Sequence, residues 1–258
     1  RDPIRYCYVA SRLAQGGHGL FKHSYSDVIG YFDDGHLKSA LLLGANVVPI
    51  NTSSVARQEF ARSLSRMGRR CSSIVGQSEE VLDLWSLLEP TWGSARDVRR
   101  KQPMMSISTN STVAIDNEVR FATKFDLDIL MPACIDMFTG EVGVSPTAHG
   151  AGPAYRNRIS DLITQRQSFV KVVDGEVIFK AEVGSIGDGV AQIQGVWVKP
   201  NLRGQGIAVP AMAAVVNKVR ANIAPVVSLY VNDFNAAAIA TYNRVGFTQV
   251  DTFATVLF

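Results

Sequence analysis

The run Val196-Trp197-Val198-Lys199-Pro200-Asn201-Leu202-Arg203-Gly204-Gln205-Gly206-Ile207-Ala208 restricts this chain more than any other stretch. It begins apolar and β-rich, breaks at Pro200 and turns through two glycines. It then leads into Val209-Pro210-Ala211-Met212-Ala213-Ala214-Val215-Val216, which is alanine-rich and long enough for a helix. A strand that turns through glycine into a helix brings several unpaired backbone N–H groups to one point, at the positive end of the helix dipole. Such a point binds phosphate. Gly204 and Gly206 let the backbone approach an anion with no Cβ in the way, and Arg203 adds charge.

Two known phosphate motifs do not fit. A P-loop needs Lys-Ser or Lys-Thr after its last glycine, where this chain has Ile207-Ala208; a dinucleotide fingerprint needs a third glycine, where it has Val209. The pattern Arg-x-x-Gly-x-Ala does fit, on Arg203, Gly206 and Ala208. Downstream, Leu229-Tyr230-Val231-Asn232-Asp233-Phe234-Asn235 reads as a strand ending in Asn with a second Asn at a helix start. Tyr242 falls late in that helix, and Gly246-Phe247 follows it.

Residues 118–258, with these motifs at this spacing, resemble the GNAT superfamily of N-acetyltransferases. The whole chain also resembles a two-part actinobacterial GNAT group, on Gly68-Arg69-Arg70-Cys71-Ser72-Ser73-Ile74-Val75-Gly76 and Phe179-Lys180-Ala181-Glu182-Val183-Gly184. The fold class implied is α/β (α+β): tandem GNAT-like halves with mixed, mostly antiparallel sheets flanked by helices. Residues 113–258 would form the full GNAT fold, and residues 1–112 a degenerate GNAT-like domain.

The order of elements agrees with a duplication. In the first half, strands are expected at Tyr6–Ala10, Asp27–Phe32, Lys38–Leu43 and Val47–Ile50, with a hairpin turn at Asp33-Asp34-Gly35 and a flexible loop at Gly16–Gly19. A helix at Ser54–Met67, a strand at Cys71–Gly76, a helix at Ser78–Leu88 capped by Ser78, and a strand at Met104–Ser108 complete it. The polar run Thr109–Thr112 marks the boundary.

The second half repeats the scheme. A strand at Glu118–Thr123 and a helix at Asp126–Phe138 come first, then a loop-rich stretch at Gly140–Pro153 and a helix at Tyr155–Gln165. A hairpin (Ser168–Val173, Glu176–Val183) and the strand Val190–Val198 lead to the glycine turn. A strand at Pro225–Val231, a helix at Asn235–Val245 and last strands at Phe247–Phe258 follow it. The first half's counterpart of the glycine turn is Pro49-Ile50-Asn51-Thr52-Ser53-Ser54, which has no glycine, so no acyl-CoA site is expected there.

The resemblance implies acetyl-CoA (coenzyme A) as cofactor. Its pantetheine would pair with backbone of Val196 and Val198 beside Trp197, in a slot opened by the strands Gln192–Val198 and Val226–Val231. Its pyrophosphate would rest on the N–H groups of Arg203, Gly204, Gln205, Gly206, Ile207 and Ala208, with Asn232 and Asn235 on the pantetheine arm. Tyr242 would protonate the leaving thiolate, a modest demand since a thiol's pKa is ~8.5. An alternative for Tyr242 is a packed aromatic.

The base is a departure from the family pattern. The strand position where many members carry Glu is Gln192, which cannot act as a base but with Gln194 can hold a water. Glu182 is the first substitute; its alternative role is a strand-face carboxylate paired with a lysine such as Lys180. Glu141, placed in a loop, is the second.

These residues point to an N-acetyltransferase working by direct attack of a primary amine in a ternary complex. No cysteine stands in a motif for a covalent acyl-enzyme. Two other readings are a non-catalytic acyl-CoA-binding regulatory protein and a small-metabolite acyltransferase of mycothiol-synthase type. The acceptor is a small molecule or a peptide or protein amine. A net charge of +3 gives no support to a nucleic-acid partner, and the basic runs Arg66–Arg70 and Arg99–Lys101 read as solvated surface.

No run reaches the ~18 apolar residues of a membrane span, and His18, His23 and His36 lie far from the turn, with no metal-like spacing. Cys7, Cys71 and Cys134 show no paired spacing, which suits the cytoplasm. Two joined halves mimic a dimer within one chain, so a monomer is expected.

Overall fold

The structure is a computed structural model that describes residues 2–16 and 27–258; Gly17, His18, Gly19 and His23 lie outside the described residues. The chain forms two compact units that are interleaved in sequence. The first comprises Arg1–Met105, Tyr230–Ala236 and Gln249–Phe258, and the second Ser106–Leu229 and Ala237–Thr248.

The first unit starts with a helix, α1 (Cys7–Gly16), where the short apolar run Tyr6–Ala10 reads as a strand in the sequence. The Asp2 carboxylate accepts the N–H groups of Ile4 (3.0 Å) and Arg5 (3.1 Å) and so nucleates the turn. Val9 then packs on Leu42 and Val48. Five apolar residues are too few to show either periodicity, and tertiary packing decides.

Next come β1 (Asp27–Asp33), β2 (His36–Leu43), β3 (Asn46–Ile50), α2 (Ser54–Met67), β4 (Ser73–Gln77), α3 (Ser78–Trp92) and β5 (Asp97–Ile107). Helix α2 starts where Ser53, in an extended conformation, accepts the Ala56 N–H at 3.2 Å. Helix α3 is capped by Gln77, one residue before the expected Ser78, and runs to Trp92. Leu84, Trp85 and Leu88 are buried against Phe60, Leu64 and Ile74, and beyond Leu88 the helix brings Trp92 onto the same cluster, edge-on to Phe258.

Strands β3 and β4 are parallel (Asn46↔Ser73, Val47↔Ile74) and are joined by α2. The chain's last strand, β11 (Thr248–Leu257), is a single element where the sequence suggests several. It pairs antiparallel with β4 from Phe253↔Gln77 to Leu257↔Ser73. The strand order in this unit is β1-β2-β3-β4-β11-β5.

The second unit contains β6 (Arg120–Phe121), α4 (Leu127–Val142), α5 (Gly152–Thr164), β7 (Ser168–Val173), β8 (Glu176–Gly187), β9 (Val190–Val198), α6 (Ala208–Asn222), β10 (Val226–Tyr230) and α7 (Ala236–Val245). Its strand order is β10-β9-β8-β7-β6. Neighbours from β6 to β9 are antiparallel, whereas β9 and β10 are parallel and joined by α6. This is the β3-α2-β4 arrangement a second time.

The core lies between the sheet and α4 and α5, where Leu130, Ala133, Met137, Ile159 and Leu162 pack on Val170, Val177 and Trp197. Helix α6 buries Ala211 to Val216, and small residues let it lie close on its sheet. Among the described residues, no helix is long and apolar enough to cross a membrane.

The interleaving predicts a failed truncation. A fragment of residues 113–258 loses β4, the partner of β11, and Gln102, which holds Asn232 (2.9 Å) and Thr255 (2.7 Å). We expect the fragment to aggregate or to show non-cooperative unfolding by circular dichroism, while the whole chain unfolds cooperatively.

Candidate functional site

The glycine turn has the geometry its residues demand. Pro200–Leu202 make one tight turn, with Arg203 N–H on Pro200 O (3.3 Å), and α6 begins at Ala208. Gly204 (φ +78°) and Gly206 (φ +82°) occupy the left-handed region, and a Cβ on either would meet nothing within 4 Å. Backbone conformation, not crowding by neighbouring atoms, is thus what calls for glycine here. Among the described residues, the N–H groups of Gly204 to Ala208 have no protein acceptor. The turn is exposed from Arg203 to Gly206. Unbonded donors on an exposed turn at a helix start suit an anion such as a pyrophosphate.

Strand β9 has one edge occupied and the other only partly so. The ladder with β10 ends at its third rung, Gln192↔Ser228, while β9 runs on to Val198. Lys199 donates its N–H to Ile178 O on β8 at 2.9 Å. Strand alternation then turns Val198 away from β8, and its carbonyl accepts Arg203 Nε at 3.0 Å. A bulge lies just before: Glu182 faces Gln194 and Lys180 faces Trp197, so β9 carries one extra residue. Gly195 (φ +58°) makes it; a Cβ there would stand 2.8 Å from Met137 Cε and 3.2 Å from Lys180 Nζ. Trp197 is buried, and its indole N–H bonds Asp136 of α4 at 2.7 Å.

Glu182 sits in a buried ionic cluster. Lys180, fully buried, donates to Glu182 Oε2 at 3.0 Å, and Gln194 donates to Oε1 at 2.9 Å. The half-exposed Arg158 lies 3.5 Å from the same oxygen. Burial alone would raise the Glu182 pKa, but the charges of Lys180 and Arg158 outweigh it and the net direction is down. Burial likewise opposes the charge on Lys180, and Glu182 reverses it. A carboxylate held this way is a weak base. Nearby, the Tyr155 hydroxyl donates to Cys134 O at 3.0 Å, and burial pushes Tyr155 up to about 12.

Tyr242 is buried on α7 with its ring edge-on to Phe247, centroids 5.9 Å apart. Burial, then the negative charge of Glu141, pushes its pKa up, so the phenol keeps its proton. Glu141 is exposed in the last turn of α4, where the sequence suggests a loop; the helix runs on to a left-handed cap at Gly143. Asn232 and Asn235 belong to the first compact unit, where Asn232 accepts from Gln102 and Asn235 N–H bonds Asn232 O.

Sequence reading missed Arg158, Asp136 and Ser228. Each is an ordinary residue on its own element, and only register or helix packing brings it to this face. Among the described residues, no group of His, Cys, Asp or Glu gathers as a metal site.

Residues 139–247 match the Acetyltransferase (GNAT) family, and residues 26–130 match the Domain of unknown function (DUF4081). No curated protein matches the chain. Among solved structures, it is similar to a GCN5-related N-acetyltransferase from Sphaerobacter thermophilus, with TM-score 0.62 and 14% identity over 98% of this chain and 90% of that one. A GCN5-related N-acetyltransferase from Kribbella flavida gives TM-score 0.58 and 16% identity over 97% and 94%. A tandem GNAT protein from the clavulanic acid biosynthesis pathway gives 0.53 and 13% over 92% and 84%. At these identities the likeness is one of fold.

The ionic cluster yields a stability test. Glu182→Gln strands the buried Lys180 charge and is expected to lower unfolding free energy by ~3 kcal/mol, as is Lys180→Met for the converse reason. The double variant should recover most of the loss in urea denaturation. Additive losses would show that the two side chains do not act as a pair.

Proposed function

We propose that the GNAT acetyltransferase domain carried in residues 139–247 moves an acetyl group from acetyl-CoA to a primary amine by direct attack in a ternary complex. The observation that carries this reading is the row of unbonded N–H groups from Gly204 to Ala208 at the head of α6. The corresponding turn of the first unit supports it by contrast. There Asn51 N–H is held by the Tyr6 hydroxyl (3.1 Å) and Thr52 N–H by the Glu80 carboxylate (2.9 Å), while Ser53 caps Ala56. A carboxylate already takes the donors an anion would need, so we assign one acyl-CoA site to the chain.

In this reading Gly204 to Ala208 hold the pyrophosphate, with Arg203 beside it. Val196 and Val198 bond the pantetheine along the edge of β9 beyond Gln192, and Asn232 and Asn235 order the segment after β10. Acetyl-CoA supplies the thioester. The amine nitrogen forms the new bond to the acyl carbon, and the C–S bond breaks with its electron pair on sulfur. Alternation directs Trp197 N–H toward β8, so we assign the oxyanion to Val196 N–H.

Tyr242, kept protonated by burial, gives its proton to the thiolate. We assign the base to Glu141, whose charge acts on Tyr242, because Lys180 and Arg158 hold the Glu182 pKa down and make it a weak base. The alternative of a non-catalytic acyl-CoA binder rests on Gln192 standing where a base is usual.

Calorimetry with acetyl-CoA should find one site per chain, weakened at least tenfold in an Arg203→Glu, Gly206→Asp variant. Two sites would overturn the closed first turn. Tyr242→Phe should lower kcat about 10²-fold with acetyl-CoA affinity unchanged. A chain that binds acetyl-CoA and shows no turnover with any amine would be the binder instead. Because its pKa is raised, Tyr242 should add no fall in kcat near pH 10, the range where an ordinary phenol ionises.

A further inference from the structure

Residues 108–119, between β5 and β6, form neither helix nor strand, yet they are bonded to one helix at two places. The Ser111 N–H donates to Asn217 Oδ1 at 2.9 Å, and Arg220 donates to the Asn110 side chain. Farther along, the Asp116 N–H donates to Pro210 O at 3.0 Å. Asn217 and Arg220 stand in the second half of α6 and Pro210 in its first turn. The segment is thus a strap that runs antiparallel to the helix, back toward the glycine turn. It falls within the match to the domain of unknown function, whereas α6 falls within the acetyltransferase match.

Both ends of the strap are fastened. Ser111 Oγ donates to Val245 O, the last residue of α7, at 2.7 Å. At the other end Lys171 of β7 donates to Asp116 Oδ2 at 2.7 Å and lies 2.7 Å from Glu118 Oε2, while Asp116 Oδ1 accepts the Glu118 N–H at 3.0 Å. Lys171 and Asp116 keep only 16% and 13% of their side chains exposed, so salt screens this pair little. Bonds from both carboxylates raise the Lys171 pKa and keep its ammonium charged.

The head of α6 needs support from outside the helix. It has no capping side chain, Pro210 has no N–H to give Gly206 O, and the Ala211 N–H reaches Ile207 O only at 3.3 Å. Gly204 and Gly206 add backbone freedom to the turn before it. Donors that are to meet one pyrophosphate together are best held in place beforehand, since otherwise binding has to supply the ordering. Building on the acetyltransferase reading above, we propose that Asp116 and Lys171 are positioning residues for the cofactor. Clamped by Lys171, the Asp116 N–H fixes the first turn of α6 and keeps the N–H groups of Gly204 to Ala208 aimed at the pyrophosphate.

The test measures acetyl-CoA affinity by calorimetry and amide exchange by mass spectrometry, both on the whole chain. Lys171→Met leaves Asp116 and Glu118 side by side without a counter-charge. It should weaken acetyl-CoA binding about fivefold, the effect of one lost neutral hydrogen bond. Without ligand, its amides at residues 208–214 should exchange about tenfold faster, with those of α4 unchanged. Asp116→Asn, a milder cut at the same clamp, should move both readouts in the same direction, and Lys171→Arg, which keeps the charge, should restore most of both. Ser111→Ala cuts the strap at its far end; it should lower the thermal midpoint and leave affinity and exchange at the head of α6 as they are.

Binding by the unaltered chain with equal affinity in Lys171→Met and Asp116→Asn would overturn the proposal alone. A Ser111→Ala chain that loses as much affinity as Lys171→Met would also overturn it, because the loss would then follow general stability. An unaltered chain that fails to bind acetyl-CoA would sink the acetyltransferase reading itself, and this proposal with it.

Discussion

The first N–H groups of a helix have no partner within the helix, and something else has to bond them. This chain meets that requirement in two ways. At the head of α2, Ser53 caps Ala56 and the turn before it is held by Tyr6 and Glu80, so the donors are satisfied from within. At the head of α6 the chain has glycine, glutamine and glycine with no capping side chain, and among the described residues the donors from Gly204 to Ala208 have no protein acceptor. The same strand-helix-strand arrangement is closed in one place and open in the other. A carboxylate on α3 against a pair of left-handed glycines makes the difference.

Strand β9 is where the remaining constraints meet. Its antiparallel ladder with β8 fixes one edge along nearly its whole length, and its parallel ladder with β10 ends after three rungs. The bulge at Gly195 lets Lys180 and Glu182 stack on one face under α4 and keeps Trp197 in reach of Asp136. A side chain at residue 195 would collide with Met137 and crowd that ion pair, so the bulge, the buried pair and the seating of α4 stand or fall together. Glu182 has a carboxylate's chemistry and an ion-pair partner's duties, and its surroundings favour the second.

Much of the candidate site was legible in the residues because its signals are local. Glycines between a strand and a helix, the Asn-to-Gly-Phe segment and the Asp-Gly hairpins are all read within a dozen residues, and the structure shows the corresponding turns and elements. The errors have two causes. Tyr6–Ala10 is a helix because an upstream Asp2 starts it and Leu42 and Val48 receive it. Glu141 is helical because α4 runs on past Phe138 to the left-handed cap at Gly143, although residues 139–141 are exposed. In the first case a contact from far along the chain overrode a short pattern, and in the second a glycine cap two residues on set the helix end.

The sequence by itself determined the strand-turn-helix order and the glycines at Gly204 and Gly206. It also placed a protonatable Tyr242 on a late helix and put no glycine in the first half's equivalent turn. Each of these depends on a residue's own backbone freedom or on neighbours a few positions away. Tertiary structure decided that Glu182 is held by Lys180, which N–H groups are already bonded, and that Ser228, beside Gln192 in the register, is buried with no partner for its hydroxyl among the described residues. Those facts depend on strand register and on burial. Both arise only when residues tens of positions apart are brought to one face and water is excluded from around them.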